Sequence, residues 1–218
     1  MKTWLKRRVS RGVWEAAKQL RFAWDLQRRH RRGMVMAARL RPPLKLHLGC
    51  GPNLKAGWVN IDLFEAGAVP LDLRERFPFA DGSVDVIHSE HVFEHFAYPG
   101  EAMHILRESY RVLRAGGRLS VVVPDTAPLL SAYVRGDAAF FERARKLWHP
   151  AWCDTWMHQV NYHFRQGTEH QYAYDEDTLS KLVAAAGFTD VHRRGPDTDL
   201  DSPRRLMGNP LAIMATKP

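Results

Sequence analysis

The chain has 218 residues, 45% hydrophobic and 26% charged, enough for one domain with a real core. It has no apolar run of about eighteen residues and no apolar stretch after its arginine-rich start, which excludes a spanning helix and a secretory signal and implies a cytoplasmic protein. Its two cysteines, Cys50 and Cys153, exclude a disulfide framework, and its net charge of +8 is uneven: residues 1–41 hold 13 Lys and Arg against two acids, leaving 19 against 22 beyond them.

In chain order, the first element is a basic amphipathic arm over residues 1–42. Leu5, Val9, Val13, Ala16, Ala17, Leu20, Ala23 and Trp24 share one helical face, opposite Arg7, Arg8, Arg11, Lys18, Arg21, Arg28 and Arg29. The pattern predicts a helix breaking near Gly33, with Pro42-Pro43 starting an extended connection into residues 43–218. Its apolar face fits packing on the domain or a partner, or adsorption to an anionic membrane with Trp4, Trp14 and Phe22 at the interface; nucleic acid fits less well, because the domain behind the arm is slightly acidic.

Short apolar runs then predict strands at 45–48, 59–61, 68–71, 84–88 and 118–123, with closing strands at 191–194 and 211–215. A helix with a buried stripe of Ala102, Met103, Ile105, Leu106, Val112 and Leu113 stops at Gly116-Gly117, and another runs from Asp175 to Gly187. Strand, helix, strand with short turns predicts a Rossmann-like, mostly parallel α/β sheet flanked by helices. Residues 126–172 form a variable lid, with helices over 129–134 and 138–147 and Trp148, Trp152 and Trp156 recurring every four residues.

The chemistry starts where the first strand runs into Gly49-Cys50-Gly51, a turn suited to close backbone approach by a ligand. The third glycine of a dinucleotide fingerprint is missing, and Asp62 follows Gly51 by eleven residues rather than about twenty, which disfavours a dehydrogenase. Asp62, Asp72 and Asp125 follow the second, third and fifth strands. Carboxylates at these sheet ends suit a ribose and an adenine amine better than a pyrophosphate, which they would repel.

These residues resemble the class I S-adenosylmethionine-dependent methyltransferases, in the type 11 subgroup of small bacterial enzymes. The resemblance rests on the ordered set 48–51, 57–62, 71–73, 77–87, Glu94-His95 and 111–119, and extends to the last helix near Tyr174 to Phe188. It implies that Gly49 and Gly51 pass under the methionine part of S-adenosyl-L-methionine, that Asp62 binds the ribose, that Asp72 sits by the adenine, and that Ser89 to His91 close over the reactive end. The cofactor set on this reading is Gly49, Cys50, Gly51, Asp62, Leu63, Asp72, Leu73 and Ser89. The acceptor is a small molecule or a saccharide-like compound; an RNA methyltransferase gripping phosphates with the arm, and a non-catalytic cofactor-binding module, are the alternatives.

Methyl transfer from a sulfonium needs in-line positioning, and a base only where the acceptor must lose a proton. His91 or Glu90 is the candidate base and Asp125 the candidate orienting group. His91-Val92-Phe93-Glu94-His95 reads as H-x-x-E-H, but it follows a sheet strand directly and lacks a long helix of its own, so no metal is expected there. His149, His158, His163 and His170 are scattered through the lid, where any of them could serve an acceptor proton.

Overall fold

The computed structural model describes residues 10–203 and 210–218; Trp4, Leu5, Arg7, Arg8 and Val9 of the arm lie outside them. Six strands form one sheet: β1 (Leu44–Leu48), β2 (Val59–Ile61), β3 (Val84–Glu90), β4 (Leu113–Val123), β5 (Thr189–Arg193) and β6 (Leu211–Thr216), in the order β2-β1-β3-β4-β6-β5. The pairs β1–β2, β1–β3 and β3–β4 are parallel, and β6 runs antiparallel between β4 and β5. Leu46, Leu48, Val84, Ile87, Val121 and Val123 are fully buried, because the central strands are covered on both faces.

Helix α1 spans Arg11–Ala37, α2 Gly100–Val112, α3 Thr126–Arg135, α4 Ala138–Leu147, α5 Trp156–Arg165 and α6 Glu176–Ala185. Helix α2 buries Ala102, Ile105, Leu106, Ser109 and Val112, a stripe at helical spacing. Asp175 caps α6 by accepting the Thr178 N–H at 2.9 Å, and Glu176 and Asp177 complement the helix dipole.

Four expectations are corrected. The third strand shrinks to a single bridge between Ile61 and Val69, because Pro70 has no N–H with which to extend the ladder. Gly116 and Gly117 do not stop α2, which ends at Val112; they lie at the bulged start of β4, where both bond the backbone of Lys217. The tryptophans do not form one stripe, because α4 ends before Trp148 and α5 begins at Trp156, leaving Trp152 exposed in the connection. Trp156 alone of the three packs into the small lid core, stacked on Phe141 at 4.8 Å beside Leu129 and Ala132.

The fourth correction concerns α1, which runs straight through Gly33. A Cβ there would lie 2.2 Å from the Pro70 carbonyl oxygen, so this glycine permits a close crossing and does not break the helix. The docked seam is Leu26, His30, Gly33 and Ala37, set on residues 70–72, and His30 Nδ1 accepts the Asp72 N–H at 3.1 Å. The predicted apolar face lies roughly a third of a turn away. It does not pack on the domain: Leu20 is 73% and Trp24 57% exposed.

Candidate active site

The first strand delivers Gly49 and Gly51 in left-handed conformations, φ 60° and 47°, and the two glycines differ in what surrounds them. A Cβ on Gly49 would meet Val92 Cγ2 at 2.3 Å, whereas one on Gly51 would meet nothing within 4 Å. The first glycine therefore lets the segment after β3 close down on the turn, and the second leaves open space above it. The Asp62 carboxylate holds this arrangement: Oδ2 accepts the Gly51 N–H at 3.1 Å, and Oδ1 accepts those of Phe64 and Glu65 at 2.8 and 3.1 Å. Three of its roughly four acceptor positions are thus engaged, leaving room at Oδ2 for a ligand hydroxyl. The Cys50 N–H bonds the Ile61 carbonyl at 3.0 Å; burial, and then Asp62, push the Cys50 thiol up to about 12, so it is no nucleophile.

Asp72 is placed by the residues after Val69, and its backbone is fixed by His30 of α1. Both carboxylate oxygens are engaged by Arg74, at 2.9 and 2.7 Å; burial would raise this carboxyl, but the guanidinium outweighs it and holds Asp72 below the usual range. Leu63 is half-buried with its carbonyl accepting from Arg29 at 3.2 Å, and Leu73 is buried in the core.

The carboxyl end of β3 has a different character. His91 sits in a left-handed conformation, φ 55°, with Nδ1 3.0 Å from Glu94 Oε1. Ser89 Oγ, His91 Nε2, both Glu94 carboxylate oxygens and the Tyr174 hydroxyl are buried with no hydrogen-bond partner. Of the seven such side-chain atoms among the described residues, five belong to these four residues, so the unmet polar capacity is concentrated at one sheet edge. Burial alone would raise the Glu94 carboxyl; His91 outweighs it and holds the group below its ordinary value. Burial, then Glu94, pushes the Tyr174 hydroxyl up.

Two of the three expected catalytic residues are engaged elsewhere. Glu90 turns away from the crevice, accepting the Ser202 N–H at 3.2 Å and its hydroxyl at 3.1 Å, which anchors the segment before β6. Asp125, its side chain 5% exposed, accepts the Ala127 N–H as cap of α3 and pairs with Arg193 at 2.9 Å. His91 remains at the site, beside Glu94.

The lid brings two of its four expected histidines, His163 and His170, to this end of the sheet. His170 lies across from His95, ring centroids 5.0 Å apart, and the N–H groups of Gln171 and Tyr172 bond the Glu94 carbonyl. His163 Nε2 meets the Thr126 hydroxyl at 3.0 Å; burial, and then His170, hold this imidazole at about 4. An open groove of about 560 Å³ runs between α3, the end of α5 and the start of α6, lined by Thr126, Leu130, Val134, Phe164 and Tyr174 among others. It shares Tyr174 with the β3 edge. The sequence names these histidines but not their contacts, because the meeting of His95 with His170 joins residues 75 positions apart.

Residues 46–121 match the family described as "Methyltransferase domain". A curated relative, an uncharacterized 37.1 kDa protein in transposon TN4556 of Streptomyces fradiae, is 30% identical over 135 residues, and the match covers 50% of this chain but only 38% of that protein. Among solved structures, a SAM-dependent methyltransferase from Archaeoglobus fulgidus shares the fold at a TM-score of 0.53 and 17% identity, over 97% of this chain and 96% of that one. The Burkholderia thailandensis 1,6-didemethyltoxoflavin-N1-methyltransferase, solved with 1,6-didemethyltoxoflavin and S-adenosylhomocysteine, aligns over 96% of this chain and 91% of its own at a TM-score of 0.48 and 16% identity.

Proposed function

We propose, from the match of residues 46–121 to the methyltransferase domain family, that this chain is a class I S-adenosylmethionine-dependent methyltransferase and transfers a methyl group to an oxygen or nitrogen of a small-molecule or saccharide-like acceptor. The observation that carries the reading is the open space above Gly51, whose N–H the Asp62 carboxylate accepts, next to the end of the adjacent strand β3, where Ser89 and His91 carry unpartnered buried polar atoms. That arrangement fits S-adenosyl-L-methionine, which supplies a methyl group on a sulfonium sulfur. Gly49, Cys50 and Gly51 bring backbone under the amino-acid part, Asp62 takes a ribose hydroxyl, and Leu63, Asp72 and Leu73 border the adenine.

The chain's own work is then positional. Ser89 and His91 hold the reacting end, and the lid excludes water from it. Where the acceptor carries a proton, His91 Nε2 is the group left to receive it, because Glu90 and Asp125 are committed to Ser202 and Arg193. The groove along α3 and α6 is the acceptor's approach, meeting the β3 edge at Tyr174.

The arm is a second part of this reading. Val13, Leu20 and Trp24 project from α1 exposed, while Phe22 stacks on Phe64 of the domain and the C-terminal half of the helix is anchored on residues 70–72. This favours a cytoplasmic enzyme resting at an anionic membrane face through an interfacial helix. No helix among the described residues is long and apolar enough to cross a membrane.

Calorimetric titration of S-adenosylmethionine and S-adenosylhomocysteine into wild type and Asp62→Ala tests the pocket. Micromolar binding that weakens at least tenfold in the variant supports it; a folded wild type that binds neither compound overturns it. Turnover in an acceptor screen then separates an enzyme from a non-catalytic module.

A further inference from the structure

The structure assigns a divalent transition-metal site to Glu94, His95 and His170, in which the cation fastens the lid to the end of the sheet. One donor atom from each of these residues lies within 4.8 Å of the other two. Three further features set this cluster apart from a chance gathering of polar groups. Glu94 is 1% exposed, and neither carboxylate oxygen has a hydrogen-bond partner. The nearest cationic candidate, His91 Nδ1, is 3.0 Å from Oε1, which leaves Oε2 unaccounted for. A buried carboxylate so poorly partnered is costly unless a positive charge completes its surroundings.

Each histidine has one ring nitrogen committed to a backbone carbonyl. His95 Nδ1 is 3.2 Å from the Glu169 carbonyl oxygen, and His170 Nδ1 is 2.7 Å from that of His163. A carbonyl oxygen only accepts, so each Nδ1 carries the proton and each Nε2 presents a lone pair. This is the arrangement in which an outer carbonyl fixes the tautomer of a metal-binding imidazole.

Two imidazole nitrogens and one carboxylate suit zinc or another divalent first-row cation rather than calcium or magnesium. Bonds of about 2.1 Å in a tetrahedral site would set the donors roughly 3.4 Å apart, so donors now within 4.8 Å of one another close by at most about 1.4 Å on binding. The 3₁₀ turn Phe93–His95 supplies two ligands and the lid supplies the third. H-x-x-E-H is therefore a metal motif here in a different sense from its helical reading: His91 steadies the carboxylate, and His170 completes the set.

The test uses tag-free full-length chain, stripped with chelator and dialysed, then titrated with zinc chloride by calorimetry and with cobalt(II) chloride by visible absorption. The proposal expects one ion per chain at micromolar affinity or tighter, with d–d bands of a nitrogen- and oxygen-ligated cobalt site. Glu94→Gln and His170→Ala should each weaken binding at least tenfold, while His158→Ala and His192→Ala, at exposed histidines, leave it unchanged. Circular dichroism and S-adenosylhomocysteine binding check that the first two variants remain folded. No binding by folded wild type overturns the proposal, as does wild-type affinity in both Glu94→Gln and His170→Ala. Metal binding without S-adenosylhomocysteine binding would retain this site and reject the methyltransferase reading.

Discussion

The Gly49–Asp62 turn and the Ser89–Glu94 edge lie side by side at the carboxyl ends of adjacent strands, yet they are built on opposite terms. In the first, a carboxylate accepts three backbone N–H groups from residues within eleven positions, so the turn is complete without a ligand. In the second, serine, histidine, glutamate and tyrosine atoms are buried without partners. Short-range hydrogen bonding makes a rigid cradle, and unmet capacity marks where something else must bind.

The sharpest way to break the comparison is at the two glycines. Gly49→Ala drives its Cβ into Val92 at a left-handed φ, and is expected to cost about 2–4 kcal/mol and abolish S-adenosylhomocysteine binding. Gly51→Ala meets open space, so it should cost only about 1 kcal/mol while weakening ligand binding at least tenfold. Denaturant melts and calorimetry on both variants check the contrast; equal losses of stability would contradict it.

Acid should act on a third region, the histidine pair beneath the crevice. Burial holds His47 at about 4 and His88 at about 3, below the ordinary 6.5. Both imidazoles are neutral in the fold and take up protons on unfolding below pH 6.5, so stability is full above that pH. It falls as pH drops, by about 1.4 kcal/mol per unit for each ring, until the folded values are reached. Melting curves between pH 7.5 and about 4.5 measure this, and His88→Asn should flatten the slope.

A smaller effect is expected where α1 crosses the domain. Gly33→Ala places a methyl 2.2 Å from the Pro70 carbonyl oxygen, and should cost about 1–3 kcal/mol and expose α1 to proteolysis. The smallest stability effects belong to Leu20→Ala and Trp24→Ala, within about 0.5 kcal/mol because both side chains are exposed. The same double variant should nevertheless lose sedimentation with anionic vesicles. Retained sedimentation would refute the interfacial role, and salt-sensitive RNA binding in its place would favour the polyanion alternative.

The strands and the glycine turn were legible because period-two apolar runs, glycines and caps act within a few residues. The third strand failed on Pro70, whose missing N–H outweighs the apolar run around it. Gly33 was misread because a helical glycine looks the same in sequence whether it ends a helix or admits a carbonyl. The partners of Glu90 and Asp125 were hidden for a related reason: both residues stand at strand ends, but Ser202 and Arg193 lie 112 and 68 residues away. The lid contact of His170 with Glu94-His95 likewise depends on packing that no local pattern encodes.

The most direct test of the account is a crystal structure with S-adenosylhomocysteine bound. The account predicts the ribose hydroxyls at Asp62, the amino-acid end over Gly49–Gly51 and the sulfur facing Ser89 and His91. Occupation of the groove between α3 and α6 instead, with the space above Gly51 left to solvent, would contradict it.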